Sequence, residues 1–434
     1  MKKITKIILY TLLVVLITTS CKYESSPSEN SQSNKIASAS NKDIIIGQYI
    51  VFFKESKLPS ALNQLGKTSF MSREAKANAV EKISKNSVKQ INTILKANQV
   101  NTSKVLNYYT TSASGMAIKL TDKEFDKLSR DENVASIEFD RKIELQEFEA
   151  KNITAIGKAA ENSQTIPCGV KMAGGFVDGS KKRNWIWIID SGIDLDHPDL
   201  NVVTDSKFAK SFIKEEPSPN DCSGHGTHVA GIAAAIDNDL GVVGVSAGAS
   251  VVPVKIMDCS NYSSTSIILS GVNHVGKYGL SGDVVNMSIS NKGRIGKECS
   301  KTTVFKSPIR SLSRKGMFVI LSAGNFNTLA KAYEPCCVNG DNIFTIGGID
   351  CDGRFDNSYS NVNSQYLNPI DFVAVGSNVK STYLNGGYAR LTGTSMSAPH
   401  VAGIIHARGR APKILKFIDD GYGYGQKYPI AVRK

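Results

Sequence analysis

The sequence contains no dense run of lysine or arginine, although its 434 residues carry a formal net charge of +13. The excess is spread along the chain, with +4 in residues 1–42, +4 in 43–146, −1 in 147–163 and +6 in 164–434. A nucleic-acid-binding protein concentrates basic residues in a patch or stripe, so this distribution does not indicate a nucleic-acid partner. The composition (36 Gly, 13 Pro, 41% hydrophobic residues) excludes a collagen-like or disordered chain and predicts a globular protein with a sizeable core.

The N-terminal apolar run, Ile7–Ile17, is too short for a permanent membrane-spanning helix. It follows a lysine-rich start and precedes small residues, a pattern that predicts a secretory signal over residues 1–21. Cys21, directly after Thr-Ser, resembles the cleavage and lipidation site of bacterial lipoproteins, and the polar segment 22–42 then serves as a flexible linker. The sequence therefore predicts an exported protein, either a cell-envelope lipoprotein anchored in the membrane through Cys21 or a secreted protein with an ordinary signal peptide.

Zinc-type spacing is absent from the remaining cysteines. Seven cysteines in an exported protein predict disulfides, with at least one thiol left free or paired between chains. The spacing does not decide which of them pair. They are Cys168, Cys222, Cys259, Cys299, Cys336, Cys337 and Cys351.

Residues 43–146 predict a small α+β domain, because strand and helix patterns alternate over about 100 residues. The polar stretch 147–163 separates this domain from residues 164–434. The predicted strands are Ile44–Phe53, Met116–Leu120 and Val134–Phe139, and the predicted helices are Ser72–Ala97 and Asp122–Ser129.

From about residue 164 onward, continuous apolar strands alternate with glycine-punctuated helices. Such strands predict a parallel sheet buried on both faces, in which functional groups collect at the carboxyl ends of the strands. The predicted strands are Trp185–Ile189, Val251–Met257, Val284–Ile289, Met317–Ser322 and Ile343–Gly347.

Four polar residues stand where these strands end or where helices begin. Asp190 opens Asp-Ser-Gly-Ile-Asp after a strand, and Asn325 ends Ser-Ala-Gly-Asn just past another. His225 opens His-Gly-Thr-His-Val-Ala-Gly, whose apolar run predicts a helix to Ile236. Ser395 lies near a predicted helix start in Gly-Thr-Ser-Met-Ser-Ala-Pro-His-Val-Ala-Gly.

These residue types together suit nucleophilic catalysis. A serine hydroxyl becomes an effective nucleophile when an imidazole removes its proton, and the imidazole needs a buried carboxylate that fixes its tautomer. An asparagine amide and a helix-start N–H stabilise the oxyanion that forms. Each residue alone has an ordinary alternative as a cap or turn residue, but four of them in motifs of this length favour the catalytic interpretation.

The four motifs closely resemble those of the subtilisin-like serine endopeptidases, from about Gln164 to about Gly403. The resemblance implies a three-layer α/β domain with a mostly parallel central sheet, and hydrolysis of peptide bonds through an acyl-enzyme. It implies Asp190 as the carboxylate, His225 as the base, Ser395 as the nucleophile and Asn325 as the oxyanion donor.

Two upstream strings, Gly47–Lys54 and Val134–Asp140, resemble the inhibitory propeptide of the same family. The resemblance implies that residues 43–146 assist folding, block the cleft and are removed by the enzyme itself. The family junction falls near Gln146, but this chain inserts about 17 extra residues before Gln164, so the cut is expected between 146 and 164. The alternative is a permanent N-terminal binding domain.

Asp-Asn-Asp-Leu-Gly-Val at 237–242 resembles the calcium loop of the family. The resemblance implies a structural calcium ion bound by six oxygens, which suits calcium rather than zinc. The alternative is a polar turn whose Asp and Asn residues cap it. The implied ligands are the side chains of Gln164, Asp199 and Asn238 and the backbone carbonyls of Ile236, Leu240 and Val242.

Ser288, Ile289 and Ser290 match the segment whose backbone pairs with the substrate in this family. The family usually has glycine where this chain has Ser290, so the preferred substrate residue stays open. The alternative is an ordinary strand end.

The sequence departs from the family after Gly403. Gly409 and Pro412 predict an early end of the last helix, and a Gly/Tyr-rich tail follows to Lys434. Either the tail packs in an unfamiliar way or the domain is incomplete and weakly stable. Two functional alternatives therefore stand beside the endopeptidase: a catalytically silent surface-binding protein on the same fold, and a processing protease of narrow specificity.

Overall fold

A computed structural model describes residues 43–66, 71–145, 150–154, 163–292, 303–364, 368–421 and 425–434. The predicted signal sequence, Cys21 and the linker 22–42 lie outside these residues. Within the described ranges, no helix is both long and apolar enough to cross a membrane.

The N-terminal part forms an antiparallel five-stranded sheet in the order β11–β4–β1–β3–β2. Four strands come from this part and one, β11, from much further along the chain. The strands are β1 (Ile44–Phe53), β2 (Val105–Tyr109), β3 (Gly115–Lys119), β4 (Val134–Glu144) and β11 (Tyr262–Ser264). The helices are α1 (Ala61–Gln64), α2 (Arg73–Ala97) and α3 (Asp122–Ser129).

The starts of α2 and α3 follow from capping side chains. The Ser72 hydroxyl accepts the N–H of Ala75, and Thr121 and Glu124 form a reciprocal capping box. Each cap satisfies N–H groups that the first helical turn leaves without a partner. These are the helices that the sequence predicted, whereas β2 lacks the apolar alternation that would have revealed it.

The central sheet has nine strands in the order β20–β21–β17–β16–β14–β12–β7–β10–β8. Neighbours from β21 to β8 run parallel, and β20 runs antiparallel to β21. The strands are β7 (Ile186–Asp190), β8 (Lys210–Ser211), β10 (Val251–Lys255), β12 (Val284–Met287), β14 (Phe318–Ser322), β16 (Ile343–Ile349), β17 (Ile370–Val375), β20 (Lys413–Asp419) and β21 (Lys427–Val432).

Three smaller sheets complete the described strands. They are β18 (Val379–Thr382), β19 (Tyr388–Leu391) and β5 (Lys151–Thr154) in the order β18–β19–β5; β6 (Val177–Asp178) with β9 (Ser246–Ala247); and β13 (Asn291–Lys292) with β15 (Tyr333–Glu334).

Helices cover both faces of the central sheet, which confirms the expected α/β fold with a small α+β domain before it. Alternate residues of β7 show the layering: Ile186 and Ile188 belong to a cluster with residues of α5 and α8, and Trp187 and Ile189 to a cluster with residues of α6 and α7. A strand buried on both faces has this alternation. The helices of this part are α4 (Cys168–Met172), α5 (His225–Ala234), α6 (Thr265–Tyr278), α7 (Lys306–Arg314) and α8 (Thr394–Arg408).

The C-terminal tail forms a hairpin at the edge of the central sheet. Helix α8 ends at Gly409, which adopts a left-handed conformation (φ 68°), as the sequence predicted. Strand β21 then pairs with β17, and the buried Tyr428 hydroxyl accepts the N–H of Asn363 (2.8 Å). In the described residues the tail therefore packs as part of the sheet.

Two disulfides join distant segments of the described chain, Cys168–Cys351 and Cys222–Cys259. Cys337 is also disulfide-bonded. Cys336 is a buried free thiol whose pKa is raised by burial. The odd cysteine count predicted such a free thiol, and its burial makes it unreactive.

Candidate active site

Asp190 and His225 meet at the carboxyl edge of the central sheet. Asp190 is the last residue of β7 and His225 is the first of α5. The Nδ1 atom of His225 lies 2.7 Å from Oδ1 of Asp190, and the two side chains are 3% and 0% exposed. A buried carboxylate at Nδ1 keeps the proton on that nitrogen, so Nε2 is the nitrogen that can accept a proton.

A second buried carboxylate, that of Asp221, holds the segments that carry this pair. Its Oδ1 accepts hydrogen bonds from Ser191 Oγ (2.9 Å) and Gly224 N (3.0 Å). Its Oδ2 accepts from Thr227 N (3.0 Å) and Thr227 Oγ1 (2.6 Å). The sequence analysis missed Asp221, although its position just before Cys-Ser-Gly-His offered a signal, since an acid ahead of a helix start commonly caps that helix.

Ser395 lies in the first turn of α8, 7% exposed. Its Oγ donates to the backbone carbonyl of Ser288 (3.1 Å), and the Ser288 hydroxyl donates to the carbonyl of Ser395 (2.9 Å). Gly393 precedes the helix with φ 151°, a conformation that residues with side chains rarely adopt. This reciprocal pair fixes Ser395 against the segment that follows β12.

Small residues let the helices of His225 and Ser395 approach their neighbours closely. A Cβ at Gly226 would lie 2.1 Å from the carbonyl oxygen of Gly192, and one at Gly403 would lie 2.8 Å from that of Ala233. Helices α5 and α8 pack directly against each other. The glycines of the two long motifs therefore serve close packing around the site.

Asn325 follows β14 and faces the start of α8. Its Oδ1 accepts hydrogen bonds from Thr394 N and Thr394 Oγ1, both at 2.8 Å. The Thr394 hydroxyl in turn accepts the N–H of Gly324 (3.0 Å). These bonds orient the amide with its oxygen toward Thr394 and its Nδ2 toward the other side.

Of the predicted substrate-binding residues, Ser288 and Ile289 are buried and Ser290 is partly exposed. They follow β12 directly and adjoin Ser395 through the Ser288 contacts. The Ser290 hydroxyl lies 3.2 Å from where a Cβ of Gly324 would stand. The extra side chain of Ser290 therefore occupies space beside the Asn325 segment.

The end of the N-terminal domain pairs with the C-terminal part of the chain through β11, a contact that the sequence analysis missed. Ile143 of β4 pairs with Ser263, and the N–H of Leu145 donates to the carbonyl of Asn261 (2.9 Å). Ile143 and Leu145 are 4% and 6% exposed. The N-terminal domain thus ends as an extended peptide bound strand-to-strand.

After residues 146–149, which lie outside the described residues, the chain pairs again on β19. Thr154 pairs with Tyr388 and Lys151 with Arg390, both antiparallel. Strand β19 ends at Leu391, four residues before Ser395. The chain is therefore docked as a strand at two places, before and after the undescribed residues.

The residues of the predicted calcium loop come together around Asp199. Its carboxylate accepts hydrogen bonds from Asn238 Nδ2 (3.0 Å) and the Tyr388 hydroxyl (3.2 Å). Burial raises the pKa of Asp199 to about 7. Gln164 Nε2 donates to the carbonyl of Ile236 (2.9 Å), and Val242 N lies 3.4 Å from Asp199.

The cluster offers a hard cation one buried carboxylate, whose charged form burial disfavours unless a cation neutralises it. The groups that face this carboxylate in the structure are donors, namely the Asn238 amide, the Val242 N–H and the Tyr388 hydroxyl. Leu240, the sixth predicted ligand, is 38% exposed at the outer side of the loop, and its N–H donates to Asn238 Oδ1 (2.7 Å).

The other histidines of the two long motifs have structural contacts. His228 Nε2 lies 3.0 Å from the carbonyl of Val379, and His400 Nδ1 lies 2.8 Å from that of Met396. Burial lowers the pKa of His228 to about 3 and that of His400 to about 4. Both are neutral packing residues.

Comparison with protein-family models gives two matches. Residues 182–408 match the family described as Subtilase family. Residues 48–146 match the family described as Peptidase inhibitor I9.

Curated proteins similar to this chain carry protease names. M-protease of Shouchella clausii (strain KSM-K16) is 32% identical over 291 residues, 67% of this chain and 67% of that protein. Subtilisin Savinase of Lederbergia lenta is 34% identical over 245 residues, 56% of this chain and 78% of that protein. Subtilisin DY of Bacillus licheniformis is 33% identical over 254 residues, 56% and 83% of the two chains.

Proposed function

Because the chain belongs to the subtilase family and is a serine endopeptidase with an I9 propeptide domain, we propose that its catalytic residues are the four that gather at the carboxyl edge of the sheet. They are Asp190, His225, Asn325 and Ser395. The observation that carries this assignment is the buried 2.7 Å contact between His225 Nδ1 and Asp190 Oδ1. With the family shown, the silent binding protein is set aside.

Peptide-bond cleavage then proceeds through an acyl-enzyme. His225 takes the hydroxyl proton as Ser395 Oγ attacks the carbonyl carbon, and Asp190 stabilises the imidazolium. The oxyanion accepts hydrogen bonds from the Asn325 amide and from the Ser395 N–H at the start of α8. The imidazolium next protonates the leaving amine, and a water molecule activated by His225 hydrolyses the ester.

Replacing Asn325 by alanine is expected to lower kcat about 10²–10³-fold with little change in KM, because the amide binds the oxyanion more strongly than the substrate carbonyl. Steady-state hydrolysis of a peptide p-nitroanilide measures both constants. Asn201→Ala is the matched control, since this Asn is exposed and, within the described residues, its side chain bonds to the Gly248 carbonyl and the Ser250 hydroxyl. A loss in kcat of less than threefold for Asn325→Ala would remove Asn325 from the mechanism.

The N-terminal domain inhibits the enzyme, in this proposal, by filling the path of a substrate. Two contacts support this: β4 and Leu145 pair along β11 on one side, and β5 pairs along β19 on the other. Both docked segments flank residues 146–149. We therefore propose that the self-cleavage falls between Gln146 and Ala150, at the start of the interval 146–164 that the sequence predicted.

Substrates would bind as the propeptide end does, as strands on β11 and along Ser288–Ser290. Since Ile143 and Leu145 are both buried in that position, the enzyme would prefer apolar residues at alternate positions before the cut. The processing protease of narrow specificity remains an alternative within this function.

We also propose a structural calcium ion at Asp199, Asn238 and Gln164, with the carbonyls of the loop. The support is the buried carboxylate of Asp199, with Asn238 bonded to it and Gln164 bonded to the Ile236 carbonyl of the same loop. When bound, the ion would neutralise Asp199 and tie the segment of Gln164 to the loop 236–242, which already pair through Thr165 and Val242.

A chelator is expected to lower the melting temperature of the protein by about 5–10 °C, relative to calcium at about 100 times its Kd. Such saturation stabilises by about 2.7 kcal/mol, and 1 kcal/mol moves the Tm of a domain of this size by about 2–4 °C. Calorimetry of the Ser395→Ala chain, which cannot digest itself, measures the shift. Asp199→Asn should lose the response to calcium; an equal response in both proteins would place the ion elsewhere.

Export and anchoring are proposed from the sequence, because residues 1–42 lie outside the described residues. The signal pattern of residues 1–21 supports export, and Cys21 after Thr-Ser supports a lipid anchor with the 22–42 segment as tether. The disulfides Cys168–Cys351 and Cys222–Cys259 agree with an oxidising compartment.

A further inference from the structure

A buried ion pair joins helix α2 of the propeptide to the protease part. Arg73 is 7% and Asp283 0% exposed. Nη2 of Arg73 lies 2.9 Å from Oδ1 of Asp283, and Nη1 donates to Oδ2, so the pair is bidentate. The guanidinium carbon lies 3.6 Å from the centroid of the Trp185 ring and 5.8 Å from that of Trp187.

This ion pair lies at the opposite edge of the central sheet from Ser395. Asp283 immediately precedes β12, whose far end leads to Ser288 beside the nucleophile. Four residues of strand separate the two edges, about 13 Å. Contacts at Asp283 are therefore distinct from the peptide-binding cleft.

The protease part holds the carboxylate in place without help from the propeptide. Oδ2 of Asp283 accepts the N–H of Leu280 (2.9 Å) and the Trp187 indole N–H (2.8 Å). Oδ1 accepts the N–H of Trp185 (3.1 Å) and Asn184 Nδ2 (3.2 Å). Four neutral donors keep a buried anion in position but do not cancel its charge, so its cation partner is strongly preferred.

The surroundings match a guanidinium better than an ammonium. Besides the carboxylate, the carbonyls of Tyr278 (3.3 Å) and Arg183 (3.5 Å) accept from Arg73. The planar group thus has acceptors around its edge and an aromatic ring on its face. A lysine ammonium cannot make both the bidentate and the stacked contact.

We propose that Asp283, Trp185 and Trp187 form a guanidinium-binding pocket on the protease part. Arg73 fills it while the propeptide is attached, and an arginine side chain of another polypeptide fills it after the propeptide has left. The second statement rests on the proposed maturation, whereas the first does not. The pocket gives the enzyme a recognition point for arginine-bearing proteins outside its cleft.

Chemical rescue of an emptied pocket tests the first statement. In the full chain carrying Ser395→Ala, Arg73→Ala removes the guanidinium, and N-propylguanidinium is the probe that replaces it. Propylammonium at equal ionic strength is the control ligand. The readout is specific because the chain contains two tryptophans, and both are in this pocket.

We expect a saturable change in tryptophan emission with propylguanidinium, with half-saturation at a concentration about tenfold lower than for propylammonium. The chain that retains Arg73 should show no saturable change. Lys85→Ala removes a cation from the exposed side of α2 (72% exposed) but keeps Arg73, so it should show no saturable change either. Equal responses to the two ligands would overturn the pocket. If Arg73→Ala does not fold, refolding yield with each ligand replaces emission, and equal yields would overturn it as well.

Titration of the processed, propeptide-free protein tests the second statement. The same saturable response to propylguanidinium is expected there. If the processed protein showed no response while the Arg73→Ala precursor did respond to propylguanidinium, the pocket would close on maturation, and the second statement would be overturned. A chain that never processes itself would contradict the proposed function but leave the first statement standing, because the rescue experiment needs no catalytic activity.

Discussion

The Ser395→Ala chain is expected to stay at its full precursor mass and to hydrolyse peptide substrates about a million-fold more slowly than the unsubstituted protein. The size of the loss is that seen when the nucleophile of a Ser-His-Asp triad is removed. Processing stops as well, because in our proposal the same hydroxyl cuts the chain between β4 and β5. Intact mass after expression and p-nitroanilide hydrolysis measure the two effects.

Ser397→Ala is the matched control for this substitution. Ser397 lies two residues further along α8 and is fully buried, so its loss tests the effect of removing any hydroxyl from the helix. The control should process itself and keep its activity within about threefold. A Ser395→Ala chain that still loses its N-terminal domain would show that another protease, or another residue, makes the cut.

Asp190→Asn is expected to lower kcat about 10⁴-fold while leaving the fold intact. The amide has nearly the shape of the carboxylate, but it donates as well as accepts, so it favours the wrong tautomer of His225 and does not stabilise the imidazolium. The buried 2.7 Å contact makes this effect large, since little water reaches the pair to compensate. Steady-state kinetics with the same p-nitroanilide measure it.

Asp221→Asn compares a carboxylate that holds the segments of the site in place with Asp190, the carboxylate that contacts His225. Asp221 contacts Ser191, Gly224 and Thr227 but not the His225 ring in the contacts described above, so an amide there should reduce kcat far less than Asp190→Asn does. If the two substitutions had equal effects, the carboxylate of Asp190 would have no special role. Circular dichroism of each variant confirms that the comparison is between folded proteins.

Local patterns predicted much of this structure. The apolar strand before Asp190, the helix that begins at His225 and the stop at Gly409 depend on residues close in sequence, and the structure places them within a few residues of the prediction. The pairing of Asp190 with His225 was implied by the family resemblance, and the structure brings the two side chains into contact.

Contacts chosen by packing could not be predicted. Strand β11 is three residues of Tyr and Ser, and only its pairing with β4 makes it a strand. Arg73 and Asp283 are 210 residues apart, and neither has a local signal for the other. The tail strand β20 is largely exposed on both faces, so its pattern lacks the alternation that identifies a half-buried strand.

The disulfide Cys222–Cys259 has a consequence for the enzyme as a target of its own activity. A protease at high concentration digests whichever of its loops opens locally. The cross-link spans 37 positions and removes about 4 kcal/mol of chain entropy from the unfolded state. A single cut between Cys222 and Cys259 would leave both pieces covalently joined. The segment of His225 and the strand β11 would therefore stay linked after such a cut.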